Sequence, residues 1–148
     1  MFKHLLVPTD GSALAAKGVR AGVKLARALG ARVSGVYVIQ PYIAPIYADA
    51  ALYVPGTVFA DYEKAAKAHA KRALALIERE AAKAGVRGAS RVVEEMQPWQ
   101  GILKAARKGK CDAIVMASHG RGGLGGLILG SQTARVLAHS KLPVLVIR

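Results

Sequence analysis

The chain has 148 residues, 53% of them hydrophobic and 21% charged, which suits one ordinary domain and is too apolar for a disordered chain. Its single cysteine excludes an internal disulfide and fits a reducing compartment, and no run approaches the roughly 18 uncharged apolar residues that span a bilayer. Against 22 basic residues stand 9 acidic ones, so the net charge of +13 attracts polyanions in general without selecting among them.

The amino terminus, MFKHLLVPTDG, has too short an apolar run for a secretory leader, and the expected location is cytoplasmic. HLLVPTD reads as a buried strand stopped by Pro8. Either Asp10 or Ser12 then caps a helix that runs to about Gly30. Ala15, Val19, Val23, Ala26 and Leu29 share one face of it with Gly22, where a missing side chain lets the helix lie close to a sheet. Lys17, Arg20, Lys24 and Arg27 occupy the opposite face.

RVSGVYVIQP is a second strand rich in β-branched residues. Residues 41–56, with three prolines and three tyrosines, form an irregular loop: a lid, a protein contact, or a segment packed on its own domain. A long alanine-rich helix covers about 58–84 and stops before Gly85. SRVVEEM is a third strand, Pro98 opens the helix continued by GILKAARKG, and CDAIVMAS is an almost wholly apolar, interior fourth strand. A glycine-rich loop, a helix over 131–139 and the strand LPVLVIR complete the chain. This alternation predicts a single α/β domain over 1–148, a parallel sheet with helices on both faces, without linker or internal repeat.

Six of the eleven positions from 120 to 130 are glycine, in the order buried strand, loop, helix start. Glycine lets several backbone N–H groups turn to one point, and the helix start adds unpaired donors at a positive dipole end, so the loop suits phosphate. Ser131 and Thr133 add hydroxyls. No lysine follows Gly130, which excludes a P-loop, and the G-x-G-x-x-G spacing of 120–125 lies on the wrong strand for a dinucleotide fold. The competing reading is a surface loop without a task.

HLLVPTDGS, VYVIQP, CDAIVMASHGR and LGSQTARVLAHSKLPVLVIR together resemble the universal stress protein family over essentially the whole chain. The nucleotide-binding branch of that family carries a glycine, two residues, a second glycine, nine residues, then a glycine followed by serine or threonine. Gly120, nine residues, Gly130 and Ser131 match the later part, whereas the first glycine falls on Ala117, whose methyl narrows the room beside a ribose. The resemblance implies a flavodoxin-like, five-stranded parallel sheet of order 3-2-1-4-5, of the adenine nucleotide α-hydrolase kind. A ligand there sits outside the carboxyl ends of strands 1 and 4, where the winding reverses. It implies further that Pro8, Thr9 and Asp10 meet the adenosine end and that Val38 offers backbone to adenine. Ala117, Ser118, His119, Gly120, Arg121 and Gly122 would line ribose and phosphates, with Gly130, Ser131, Gln132 and Thr133 on phosphate.

The function so implied is a homodimeric, stress-responsive switch driven by ATP, ADP or AMP, with Mg²⁺ helping at the phosphates. Dimerisation would use the apolar edge strand at 143–148. Two alternatives stay open: a slow ATPase or autophosphorylating enzyme, and a polyanion-binding module with a vestigial nucleotide site. No Walker lysine, metal cluster or nucleophile with a base is visible, so no catalytic residue is assigned. Asp10 also serves as a possible helix cap, and His119 is a phosphate contact or proton carrier, or else a surface histidine without a chemical task. Cys111, just before an apolar strand, reads as a small buried residue rather than a nucleophile. Aromatic and basic residues do not interleave, so neither nucleic acid nor membrane is expected as the main partner.

Overall fold

Five short apolar runs, alternating with four segments of helical periodicity, can bury themselves only by pairing side by side under the intervening helices. The computed structural model describes residues 1–43, 56–120 and 129–148; Arg121, Gly122 and most of the 41–56 loop lie outside them. Its elements in order are β1 (His4–Pro8), α1 (Ala13–Leu29), β2 (Arg32–Ile39), α2 (Gly56–Ala84), β3 (Gly88–Glu94), α3 (Pro98–Lys108), β4 (Ala113–Ala117), α4 (Ser131–His139) and β5 (Val144–Ile147). All strand pairs are parallel, and the sheet order is β3-β2-β1-β4-β5, the expected one. No helix among the described residues is long and apolar enough to cross a membrane.

The two-residue period of β1 divides the core. Leu5 and Val7 point to one face, where they meet Val19, Val23 and Ala26 of α1 and Leu74 and Ile77 of α2. Leu6 points to the other, against Ile102, Ala105 and Ala106 of α3 and Val136 of α4. The apolar face of α1 is the one its periodicity gave, and Gly22 is where the helix is pressed hardest: a Cβ there would lie 2.8 Å from Val7 Cγ2. One turn earlier, a Cβ on Gly18 would lie 3.1 Å from the Ala117 amide nitrogen.

The cap of α1 is Ser12, whose Oγ accepts from Ala15 N at 3.1 Å. Asp10 accepts from Ser12 N through Oδ1 at 2.9 Å and so holds the turn before the helix. β3 starts and ends two residues before SRVVEEM, because its limits follow the ladder with β2, from Val33 opposite Gly88 to Ile39 opposite Glu94. α2 likewise starts at Gly56 rather than 58.

His4 is the polar residue inside β1. Its Nε2 lies 2.7 Å from Ser34 Oγ and 3.7 Å from Cys111 Sγ. Burial pushes the Cys111 thiol up to about 11, so the residue stays a neutral core group, as its sequence context suggested. Burial first, and Arg32 second, hold the His4 imidazole below its usual value of 6.5.

The unfolded chain therefore takes up a proton at His4 before the native state does, and stability contributed by the neutral ring is lost as pH falls below about 6.5. Urea melts between pH 7.5 and 5.5 should show a steeper fall for the wild type than for His4→Gln. Parallel curves would show that His4 takes up its proton alike in the folded and unfolded states.

Candidate functional site

β1 and β4 are neighbours in the sheet, yet the chain leaves β1 toward α1 on one face and β4 toward α4 on the other. The loops part there and open a cavity of about 490 Å³ at the carboxyl ends of the strands. Its apolar lining includes Val36, Val38, Pro98, Ile102 and Met116; its polar lining includes Thr9, Asp10, His119, Ser131 and Gln132.

The turn after β1 is built from its own short side chains. Thr9 Oγ1 accepts from Gly11 N at 3.1 Å, and Gly11 takes φ of 80°, a conformation that costs glycine no Cβ clash. Thr9 N also donates to Val36 O at 2.9 Å, so the turn is tied to β2. These bonds present Asp10 to the cavity.

Two hydrogen bonds fasten the start of α4 to the end of β4. Gly130 N donates to Ser118 O at 2.8 Å, and Thr133 Oγ1 donates to Ala117 O at 3.0 Å. Gly130 is the N-cap of α4 and has no side chain with which to cap the amides of the first turn. The glycines here answer a steric demand rather than an angular one. Gly130 has φ of −71°, open to any residue, but a Cβ on it would lie 2.8 Å from His119 Cβ. A Cβ on Gly120 would run into the Asp10 carboxylate. Close approach of main chain to neighbour is what these two positions require.

Of the residues singled out from sequence, Pro8, Thr9, Asp10, Val38, Ala117, His119, Gly120, Gly130, Ser131, Gln132 and Thr133 all line this one cavity. Ser118 is 1% exposed and sits behind it, its Oγ 3.0 Å from His119 Nδ1, so it orients the ring and is out of reach as a nucleophile. Thr133 is buried, and its hydroxyl proton is committed to Ala117 O. Gln132 accepts from Trp99 N at 3.1 Å and thereby caps α3, whose own N-cap, Gln97, makes no side-chain cap bond. The lining residues that sequence reasoning missed are Ala15, Val36, Tyr37, Gln40, Pro98, Ile102 and Met116. Gln40 and Pro98 were reachable by one rule, that the residues just beyond strand carboxyl ends share the crevice.

Among the described lining residues there is no lysine or arginine, and Asp10 is the one carboxylate. The donors that these described lining residues offer are amides and hydroxyls at a helix start, a setting that suits an anion. No group of three or more metal-ligating side chains occurs among the described residues.

Residues 1–148 match the model of the Universal stress protein family. A universal stress protein of Thermus aquaticus is 34% identical over 148 residues, covering 100% of both chains. The universal stress protein UspA from Lactobacillus plantarum superposes with a TM-score of 0.85 at 24% identity, covering 99% of this chain and 98% of that one. A universal stress protein from Archaeoglobus fulgidus, solved in complex with dAMP, superposes with a TM-score of 0.66 at 19% identity, over 100% and 98% of the two chains.

Thr133→Val keeps the shape of the side chain but leaves the Ala117 carbonyl without this buried donor. Stability in urea should fall by about 1–3 kcal/mol, the usual cost of an unsatisfied buried acceptor. An unchanged midpoint would show that the clamp between α4 and β4 carries no energy.

Proposed function

The chain belongs to the universal stress protein family, and from that premise we propose that it binds an adenine nucleotide in the crevice between β1 and β4 and acts as a nucleotide-dependent switch in a cytoplasmic stress response. The observation that carries this reading is the start of α4, which has no side-chain N-cap, is bonded to β4, and lines a cavity that Val36, Val38, Ile102 and Met116 also line. Such a cavity offers a base an apolar slot and a phosphate a set of neutral donors. The same fold in Archaeoglobus fulgidus accommodates dAMP.

In this reading adenine packs near Val38 and Ile102, and Asp10 accepts from ribose hydroxyls. Phosphates meet Gly130 and Ser131 beside His119 and Gly120. Ala117 bounds the ribose, Gln132 and Thr133 join Ser131 on the phosphate side of the lining, and buried Ser118 holds the cradle from behind. Arg121 and Gly122 are assigned to the phosphates from the sequence motif alone. ATP, ADP and AMP share these contacts; Mg²⁺ would ride on the phosphate oxygens, with Asp10 the nearest protein carboxylate type in the lining.

The proposed dimer uses β5, which is an edge of the sheet and carries Leu145 at 46% exposure. This edge is close to the cradle in bonding terms: Ile147 O accepts from Ser118 N at 2.7 Å, and Ser118 O accepts from Gly130 N. A phosphate pulling on Gly130 thus acts on a segment bonded to the subunit edge, which gives the switch a physical route.

Melting and calorimetric titration with ATP and Mg²⁺ at about 150 mM salt, where surface charge is screened, should show saturable stabilisation. CTP and tripolyphosphate should give clearly less. Gly130→Val displaces His119 and should abolish the effect; Ser131→Ala, which adds no bulk, should weaken it several-fold. Equal responses to all three polyanions would leave only a vestigial site on a basic surface, and steady phosphate release lost in Ser131→Ala would instead indicate an enzyme.

Sedimentation at micromolar concentration should show a dimer that Leu145→Lys converts to monomer, since a lysine on an edge strand opposes strand pairing. A wild-type monomer with and without ATP would end the dimer proposal.

A further inference from the structure

The opposite pole of the sheet carries a second cleft, of about 640 Å³, that the nucleotide reading does not use. Lys3, Arg27, Arg32, Arg87 and Lys110 line it, with Asp112 the one carboxylate among the described lining residues. Asp112 is already engaged: it accepts from Lys3 N at 2.7 Å and from His4 N at 3.1 and 3.2 Å. The ion pairs among the described residues are Lys67–Glu63, Lys83–Glu80 and Lys104–Glu95, and none of them draws on the five cations.

A simpler role for these cations is to offset the helix ends gathered at this pole. α1 and α2 finish at Gly30 and Gly85 in the lining, and Lys110 follows the end of α3. Three helix ends supply about −0.5 charge each. Five positive side chains less one carboxylate leave +4, and the helix ends reduce that to about +2.5. The helices therefore account for less than half of the excess. The field is felt inside the fold as well, because Arg32 adds to burial in disfavouring protonation of His4.

The cations are also held in place. Arg32 N donates to Lys3 O at 3.0 Å, Val33 N to Arg87 O at 2.9 Å, and Asp112 N to His4 O at 3.0 Å. Five groups distant in sequence thus stand around one cleft on a fixed backbone. Three are arginines, whose planar forks match phosphate oxygens in pairs. Among its described lining residues there is no tyrosine, phenylalanine or tryptophan on which a base could stack, so the cleft suits a phosphate chain without a nucleobase requirement.

We propose that this cleft is a second anion site, which takes a short phosphate chain of the pyrophosphate or tripolyphosphate class, free or as the tail of a larger molecule. Its occupant neutralises the pole where three helices end, and it is independent of the crevice between β1 and β4.

Inorganic pyrophosphate titrated into ¹⁵N-labelled protein at about 150 mM salt tests it. The amides of Lys3, Arg32, Val33, Arg87 and Lys110 should shift along one saturating curve, and should do so equally in Gly130→Val, which disables the other crevice. The double variant Arg32→Gln/Arg87→Gln should weaken that curve at least tenfold. The equally charged control Lys64→Gln/Lys71→Gln, on the exposed side of α2, should change it less than twofold. All four side chains are exposed, so each variant should melt like the wild type. ATP shifting the same amides assigns the tail of a larger molecule as a ligand too; pyrophosphate alone doing so assigns the free ion. Shifts confined to residues 117–120 and 130–133, or equal weakening in both doubles, would overturn the proposal.

Discussion

The reversal of winding between β1 and β4 is the constraint on which the remaining structure depends. Both strands are buried along their whole length, and β1 has neighbours on both sides. Parallel strands need crossovers, and crossovers of one hand send α1 to one face and α4 to the other. No side chain has to create the crevice at their carboxyl ends. The side chains decide only its depth, its polarity and how closely the main chain approaches whatever enters it.

Close approach recurs at each helix that touches this region. Gly18 and Gly22 bring α1 down onto β4 and β1, and Gly101 lets α3 sit against Val38, with a would-be Cβ 2.8 Å from Val38 Cγ1. Gly130 seats the start of α4 against His119. A glycine inside a helix costs roughly 0.5–1 kcal/mol relative to alanine. Forcing a methyl into a packed contact costs typically 1–3 kcal/mol. The second figure exceeds the first, so glycine is the more stable choice wherever the backbone must touch its neighbour. The same small residues leave the cavity open between the elements they draw together.

Much of this was readable from the sequence because it rests on local pattern. Alternation of apolar runs and helical periods gave the layers, and the spacing from Ala15 to Ala26 gave the buried face of α1. The resemblance motif supplied the strand order and placed Gly130 and Ser131 at a helix start. What was hidden depends on pairings between distant residues. Nothing local tells Ser12 from Asp10 as cap, because both are short acceptors before a helix; the turn through Thr9 and Gly11 decides it. The limits of β3 come from its ladder with β2, not from its own apolar content. Gln132 is a phosphate candidate by its place at a helix start, whereas its second task, capping α3 from across the fold through its carbonyl oxygen, has no local signal. The basic pole was invisible for the same reason: positions 3, 27, 32, 87 and 110 meet only after the sheet is assembled.

The two poles also separate two kinds of positive charge that a bulk value of +13 would blur. A parallel sheet with crossover helices points helix starts at the carboxyl ends of its strands and helix ends at the amino ends. Partial positive charge from backbone dipoles therefore gathers in the crevice, where the described lining has no cationic side chain. Full positive charges gather at the other pole, where the dipoles are adverse. Neutral amides bind an anion at short range and release few counterions, whereas a cluster of lysines and arginines acts at a distance that salt shortens. Under the proposed nucleotide reading, selectivity for one nucleotide over another polyanion arises in the crevice, from shape and hydrogen-bond geometry. The surplus of basic residues sets how strongly anions gather near the protein, but it has no means of choosing which of them enters.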